Sequence, residues 1–190
     1  MTASLDNLIP RRRFTVDEYH RMGESGLLTE DDRVELIEGE IIEMAPIGSV
    51  HASRLSRLTR LLVHRVGEAA AVWPQNPVRL GSDSEPQPDL ALLVPREDDY
   101  RDELPSSTDV LLVIEISDTS LRFDREIKLG LYARHAIPVV WIVNLRDETI
   151  EVYEGPGSDA YESKTTVSGD EALSLAAIPA LTLTAAEVLG

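Results

Sequence analysis

The sequence contains no cysteine, which excludes disulfides, thiolate zinc sites and a cysteine nucleophile. It has no run approaching the roughly 20 apolar residues that a membrane helix needs, so we expect no membrane partner. The first residues lack a charged segment followed by an apolar one, so we also expect no secretion signal. A cytoplasmic location is the simplest expectation from these absences.

The sequence also has few basic residues relative to acidic ones. Lysine and arginine together number 18 against 34 aspartates and glutamates, which gives a formal net charge of −16. Such a chain repels a phosphate polymer, so a nucleic-acid substrate needs a local basic strip, divalent cations or both. The charge therefore argues against a tight non-specific DNA binder. It is compatible with a metal-dependent nuclease, whose site needs acidic ligands.

The remaining composition indicates an ordinary globular protein. The chain has 190 residues and a hydrophobic content of 43%, enough for one domain with a packed core. We expect residues 14–190 to form this single domain and residues 1–13 to form a flexible tail. Three arginines end that tail, and they form either a solvated arm or an arm that touches phosphate.

The first part of the domain carries a helix signal followed by a hairpin signal. Thr15 and Glu18 fit a capping box, which predicts a short helix beginning there. Residues 33–44 hold two short apolar-rich runs on either side of Gly39, a pattern typical of a β-hairpin. Residues 71–80 predict a strand interrupted by prolines, as is found at a sheet edge.

One predicted helix carries the main basic face in the sequence. Residues 50–70 place leucines at three- and four-residue spacing, with arginines such as Arg54 and Arg57 opposite them. These arginines are either a solvated helix face or the local basic strip that contacts substrate. The histidines have no metal-ligand spacing with one another, so we interpret His51 as a residue of the helix start.

The clearest unit is a strand, a helix and a second strand. Residues 110–117 and 139–143 are almost wholly apolar, and residues 121–136 between them have helical spacing. This order predicts two parallel strands joined by a right-handed crossover. Residues 150–153 alternate and should pair antiparallel with the second strand, and residues 155–160 are expected to form a loop.

Two acids stand at the ends of apolar strands. Asp89 follows Pro88 at the head of one strand, and Glu115 lies near the end of another. Side chains alternate between the faces of a strand, so Glu115 and Ser117 share a face. A lone buried charge costs several kcal/mol unless it is paired or bound to a metal, so Glu115 calls for a partner. For Asp89 the alternative is a capping residue in a turn.

Convergence of the two acids would require a positive charge. At about 4 Å and an effective dielectric of roughly 20, Asp89 and Glu115 would repel by about 4 kcal/mol. A shared proton, a lysine or a divalent cation relieves this repulsion. Lys128 lies on the helix after the strand and is placed to reach back. Both carboxylates, the Ile116 carbonyl and waters would satisfy Mg²⁺ or Mn²⁺.

These residues resemble a known pattern. A Pro-Asp pair at a strand head, an acid on the next strand and a following lysine resemble the PD-(D/E)XK nuclease superfamily. Ser117 stands where that pattern has its lysine, and the resemblance to the Uma2 family moves the lysine onto the helix, at Lys128. The segments that resemble the Uma2 family are residues 33–40, 75–80, 85–91, 113–117 and 124–132.

The resemblance implies a fold and a set of roles. The fold is restriction-endonuclease-like α/β, a mixed sheet flanked by helices, with an N-terminal helix and hairpin. Asp89 and Glu115 become metal ligands, and Lys128 positions the attacking water or stabilises charge on the scissile phosphate. Glu35 becomes an additional acid that orients a metal-bound water; its alternative is a salt bridge from the hairpin to Arg33 or to a lysine elsewhere in the chain.

The implied activity is metal-dependent hydrolysis of phosphodiester bonds, in DNA rather than RNA, by a homodimer. We expect Tyr132, Arg54 and Arg57 to contact the substrate, although Tyr132 suits packing equally well. Two other classes stay open. One is a catalytically silent nuclease-like fold that serves as a binding or assembly module, and the other is a hydrolase of small phosphodiesters.

Overall fold

The computed structural model describes residues 11–29 and 31–190. Two helices and a hairpin come before the main sheet, and their order agrees with the sequence pattern. Their bounds are α1 (Val16–Glu24), β1 (Val34–Ile37), β2 (Glu40–Glu43) and α2 (Ser49–Val66). The helix α2 is shorter than residues 50–70, because Gly67 takes a positive φ of 53° and a 3₁₀ turn follows it.

Local signals account for α1 and the hairpin. The Thr15 hydroxyl accepts the Glu18 N–H at 3.2 Å, and the Glu18 carboxylate accepts the Thr15 N–H at 3.0 Å, so the predicted capping box is confirmed. The strands β1 and β2 pair antiparallel. Glu38 and Gly39 between them have φ of 48° and 78°, as a two-residue hairpin turn requires.

The main sheet has six strands within the part of the chain that the structure describes. Across the sheet, its strands are β3 (Ala71–Pro74), β4 (Leu90–Leu93), β5 (Val110–Ser117), β6 (Val139–Asn144), β7 (Thr149–Pro156) and β8 (Tyr161–Val167). Only the β5–β6 pair of this sheet is parallel. The mixed α/β fold with its N-terminal helix and hairpin is therefore confirmed, as is the predicted edge position of β3.

The β5–β6 crossover contains an irregular helix. It comprises α3 (Leu121–Phe123), a π-helical turn (Asp124–Lys128) and α4 (Leu129–Arg134). In the π-turn the Leu129 N–H donates to the Asp124 carbonyl, five residues back. Both Asp124 and Lys128 are buried. Short π-turns inside helices occur often at functional sites, and this one carries two charged side chains inward.

Two apolar cores sandwich the sheet. On one face Leu58 and Leu62 of α2 pack against Leu112 and Ile114 of β5. On the other face Tyr132 of α4 belongs to a second core with residues of the hairpin and of β4 to β7. Because strand residues alternate, Glu115 falls on this second face, beneath the hairpin and the crossover helix.

The last third of the chain differs in part from expectation. β7 continues through Pro156, so the predicted loop at residues 155–160 is shorter, and the polar edge strand β8 follows it without a sequence prediction. The chain then forms β9 (Ala172–Leu175), β10 (Ile178–Thr184) and α5 (Ala185–Leu189). Their buried leucines and Val188 complete the core beside α2. None of the described helices has the length and apolarity needed to cross a membrane.

The predicted tail is described only at its end, since residues 1–10 lie outside the described residues. Arg12 forms an ion pair with Glu18 at 2.6 Å, and Arg13 lies 4.0 Å from the carboxylate of Glu38. Arg11 lies 4.0 Å from Glu40. All three arginines thus have acidic neighbours, and a contact of this segment with phosphate stays a prediction.

A buried acid links the crossover helix to the far edge of the sheet. Glu151 of β7 accepts hydrogen bonds from Arg125 Nε at 3.0 Å, Lys164 Nζ at 2.9 Å and the Tyr153 hydroxyl at 2.7 Å. Burial would raise the pKa of Glu151, but these donors outweigh burial and lower it to about 2. The ionised carboxylate is therefore the stable form in the folded protein.

We expect Leu62→Ala to lower the free energy of unfolding by about 2 to 5 kcal/mol, because the fully buried side chain leaves a cavity. The neighbouring Val63 is 51% exposed, so Val63→Ala should change it by less than about 0.5 kcal/mol. Urea denaturation of both variants measures the difference. Equal losses would contradict the placement of α2.

Glu151→Gln should remove a pH-dependent part of the stability. The folded-state pKa of Glu151 lies below its ordinary value of 4.5, so the contribution is present above pH 4.5 and is lost as the pH falls toward 2. Since Arg125 and Lys164 are partly exposed, we expect about 2 kcal/mol at pH 7 after allowance for screening. Thermal denaturation between pH 3 and 7 tests this, and a constant difference between the two proteins would contradict it.

Candidate active site

The structure brings the two predicted acids together at one end of the sheet. The Asp89 N–H points at Glu115 Oε2 at 3.3 Å, and the Ile116 N–H donates to Asp89 Oδ2 at 2.8 Å. Leu90 pairs with Ile114, so a continued ladder would set Pro88, which has no N–H, opposite Ile116. The Asp89 carboxylate instead takes the Ile116 amide. The Pro88-Asp89 pair therefore limits β4 at its first residue, and it holds the Asp89 carboxylate beside that of Glu115.

Lys128 joins a third acid to this pair. Its Nζ lies 3.1 Å from Glu35 Oε2 and 3.3 Å from Glu115 Oε1, and all three side chains are at most 7% exposed. Glu35 comes from β1 and also accepts the Gln87 N–H at 3.0 Å. The hairpin, the central strand and the crossover helix thus meet at one ammonium group. The structure shows Glu35 in a salt bridge with a distant lysine, which was one of its alternatives, and its role in orienting a water stays a prediction.

Tyr132 also contacts Glu115. Its hydroxyl donates to Glu115 Oε1 at 2.6 Å, and its side chain is fully buried one turn after Lys128. Its place is behind the acids rather than on the cleft wall described below. The observed contact positions Glu115, and the predicted contact of Tyr132 with substrate stays a prediction.

The charges of this cluster follow from burial and mutual contact. Burial raises the pKa of Glu115 to about 8, although Lys128 opposes the shift. Burial would lower the pKa of Lys128, but Glu115 and Glu35 raise it above its ordinary value. Burial, reinforced by Glu115, raises the pKa of Tyr132. The lysine and the phenol therefore stay protonated at neutral pH, and the raised pKa of Glu115 brings its titration closer to neutral pH.

His51 stands at the start of α2, as interpreted from the sequence, and its imidazole also reaches the site. Its Nε2 lies 2.8 Å from Asp89 Oδ1, on the first turn of α2. The hydrogen bond to Asp89 is the largest cause that raises the pKa of His51, and a hydrogen bond to the Ile116 backbone adds to it. No sequence spacing points to this contact, because α2 reaches the site only through tertiary packing.

Asp124 is a further buried acid that the sequence pattern did not single out. Its Oδ2 accepts hydrogen bonds from the hydroxyls of Ser117 at 2.6 Å and Ser120 at 2.8 Å. Burial raises the pKa of Asp124, while Ser117 and Lys128 act to lower it. Its position in the sequence, one helical turn before Lys128, could have identified Asp124 as a further acid of the site. Ser117, at the place of the superfamily lysine, therefore orients this acid.

These side chains line an open cleft of about 1000 Å³. Among the described residues that line it, seven are acids and two are arginine or lysine, namely Arg33 and Lys128. The acids are Asp32, Glu35, Glu43, Asp89, Glu115, Asp118 and Asp124. An anionic phosphate entering this cleft meets a net negative charge, so its binding needs added cations.

Arg54 and Arg57, the predicted basic strip, lie elsewhere on α2. Arg54 donates to the backbone carbonyl of Gly190 and lines a small separate pocket beside α5. Arg57 also approaches Gly190. The part of α2 that lines the acidic cleft is its first turn, at Ser49, Val50 and His51. A contact of the two arginines with substrate stays a prediction.

The donors suit a hard divalent cation, in chemistry and in number. No three histidine or acidic side chains of the described residues form a ready-made metal cage. Mg²⁺ commonly uses only one or two carboxylates and completes its shell with waters and substrate phosphate. Asp89 and Glu115 would supply those carboxylates and Ile116 its carbonyl. Their role as metal ligands stays a prediction.

The fold and the acid–lysine cluster define a nuclease-like α/β protein. The sequence matches the Uma2 family, described as "Putative restriction endonuclease", over residues 16–186, and the chain belongs to that family. The structure is similar to the crystal structure of a protein from Anabaena variabilis ATCC 29413 that is described as "a putative nuclease belonging to DUF820". That likeness has a TM-score of 0.70 and 18% identity, and covers 93% of this chain and 97% of that one. A search of curated proteins finds no match.

Lys128→Met should destabilise the fold strongly at high pH, because it leaves Glu35 and Glu115 buried without their cation. We expect a loss of about 3 to 5 kcal/mol at pH 8. The pKa of Glu115 already lies above its ordinary value of 4.5, and removal of the ammonium raises it further. A raised carboxyl pKa stabilises the fold below pH 4.5 and not above the raised value, so the loss should shrink toward pH 5.

Urea denaturation at pH 5 and pH 8 measures this effect. The double variant Glu35→Gln/Lys128→Met is the matched control, since it removes one buried charge with the lysine and should recover part of the stability. A small loss that is the same at both pH values would show that the ammonium does not hold the two acids together.

Proposed function

We propose that the protein is a metal-dependent endonuclease that hydrolyses phosphodiester bonds in nucleic acid, with DNA as the preferred substrate. The observation that carries the proposal is the convergence of Asp89, Glu115, Glu35 and Lys128 in one cleft. Membership of the Uma2 family, described as "Putative restriction endonuclease", supports the same reaction.

Each residue has a defined task in this proposal. Asp89 and Glu115 hold the cation, which when bound polarises the phosphate and lowers the pKa of a water. Lys128 provides positive charge where the scissile phosphate gains negative charge. Glu35, held by Lys128 and the Gln87 amide, orients the attacking water. Preformed contacts among these side chains reduce the reorganisation that the reaction needs.

The acidic cleft explains why the cation is required for binding as well as for chemistry. Seven carboxylates face two fixed cations there, so a phosphate group without added cations is repelled. Divalent ions convert the same carboxylates into the binding site for phosphate. We therefore expect nucleic-acid affinity itself, and not cleavage alone, to depend on Mg²⁺ or Mn²⁺.

The negative cleft also favours a second candidate, a catalytically silent nuclease-like fold that acts as a binding or assembly module. Such a module has no need for Asp89 to bind a cation, and its binding would survive Asp89→Asn. A homodimer and a cytoplasmic location also remain proposals, and a homodimer would suit cleavage of both strands.

The test uses supercoiled plasmid, single-stranded DNA and RNA, each with Mg²⁺, Mn²⁺ or chelator. The wild-type protein should cut the closed plasmid only with metal. Asp89→Asn should reduce the rate at least about 100-fold, because even outer partners of a metal site are worth about 10- to 100-fold. Asp102→Asn, an exposed acid outside the cleft, is the matched control and should cut at the wild-type rate.

Circular dichroism of each variant establishes that it is folded. Cleavage that persists in Asp89→Asn or with chelator would contradict the assignment. Absence of cleavage by every protein, with binding to a nucleic-acid or protein partner unchanged by Asp89→Asn, would favour the binding module.

A further inference from the structure

The position of His51 bears on how the proposed metal site fills. Its Nε2 lies 2.8 Å from Asp89 Oδ1, and the Ile116 N–H donates to the other oxygen, Oδ2, also at 2.8 Å. Both oxygens of this carboxylate are therefore engaged by N–H donors. The second contact comes from the backbone of β5, whereas the first comes from a side chain on the first turn of α2.

The same imidazole faces a second group that is expected to bind the cation. The Ile116 N–H is used by Asp89, so the Ile116 backbone group that accepts from His51 is its carbonyl. His51 thus hydrogen-bonds to Asp89 and lies against the Ile116 carbonyl, so it contacts two of the three predicted metal ligands. A hydrogen-bond donor and a cation compete for the same oxygen lone pairs.

The surroundings of His51 leave room for its imidazole to move away from Asp89. Its side chain and that of Asp89 are 19% and 17% exposed, whereas those of Lys128 and Glu35, which also line the cleft, are 7% and 3% exposed. His51 stands on the first turn of α2, after an exposed segment at residues 45–50 that lines the mouth of the cleft. Rotation of the imidazole into this open space leaves the buried cluster intact.

We propose that His51 is a gate for the metal site: its imidazole occupies the cation's place on Asp89 and Ile116 and is displaced when a divalent cation binds. This inference rests on the proposed function, because it presumes that Asp89 is a metal ligand. It assigns to His51 a positioning role in which the imidazole holds the Asp89 carboxylate in place until a cation binds. It also sets the affinity for the cation below what the acids alone would give.

The gate predicts tighter metal binding when the competitor is removed. We expect His51→Ala to bind Mn²⁺ about tenfold more tightly than wild type, the factor expected for loss of a competing hydrogen bond to a charged group. His51→Gln keeps a donor of similar reach and should stay close to wild type. His64→Ala, an exposed histidine on the same helix, is the matched control and should bind as wild type does.

Electron paramagnetic resonance of free Mn²⁺ measures these affinities without reference to cleavage, and thermal denaturation verifies that each variant is folded. A second readout is the imidazole NMR signal of His51, which should shift on addition of Mg²⁺ while that of His64 stays constant. Both results together support displacement.

Two failures are distinguishable. Mn²⁺ binding that depends on Asp89 but is unchanged or weakened in His51→Ala would overturn the gate and leave the proposed nuclease standing. If neither wild type nor His51→Ala binds Mn²⁺ and neither cleaves nucleic acid, the gate and the proposed function both fail.

Discussion

The structure depends on one ammonium group between two buried carboxylates. Lys128 lies within 3.3 Å of both Glu35 and Glu115, and its charge offsets acids that could not otherwise be buried together. The pairing requires the hairpin, the central strand β5 and the π-turn of the crossover helix to meet on one face of the sheet. The cluster that the chemistry needs is therefore also a joint of the fold, so replacement of Lys128 disturbs both.

Asp89 also serves both the fold and the proposed chemistry, but it is more exposed than Glu35 and Glu115. Its carboxylate replaces a missing ladder contact at the end of β4 by accepting the Ile116 amide, and it faces the open cleft rather than the core. This exposure makes it the acid best suited to test chemistry without loss of the fold. It also lets His51 approach, which none of the buried acids permits.

Local sequence signals predicted the elements that depend on local physics. The capping box at Thr15, the hairpin turn at Gly39 and the β5–helix–β6 crossover each follow from neighbouring residues, and the Pro-Asp and Glu115 positions marked the acids. The contact of His51 with Asp89 depends on packing between distant elements, so no spacing in one sequence indicates it. Asp124 could have been found from its position one turn before Lys128. The edge strand β8 is polar and largely exposed, and such a strand carries no apolar alternation to predict it.

The central claim is that Asp89 and Glu115 together hold a divalent cation. The most direct measurement is anomalous X-ray diffraction from crystals of the protein soaked in Mn²⁺. We predict an anomalous peak for Mn²⁺ within coordination distance of carboxylate oxygens of both residues, with His51 rotated away from Asp89. A peak elsewhere in the molecule, or a well-ordered site with His51 still on Asp89 and no metal at saturating Mn²⁺, would contradict it.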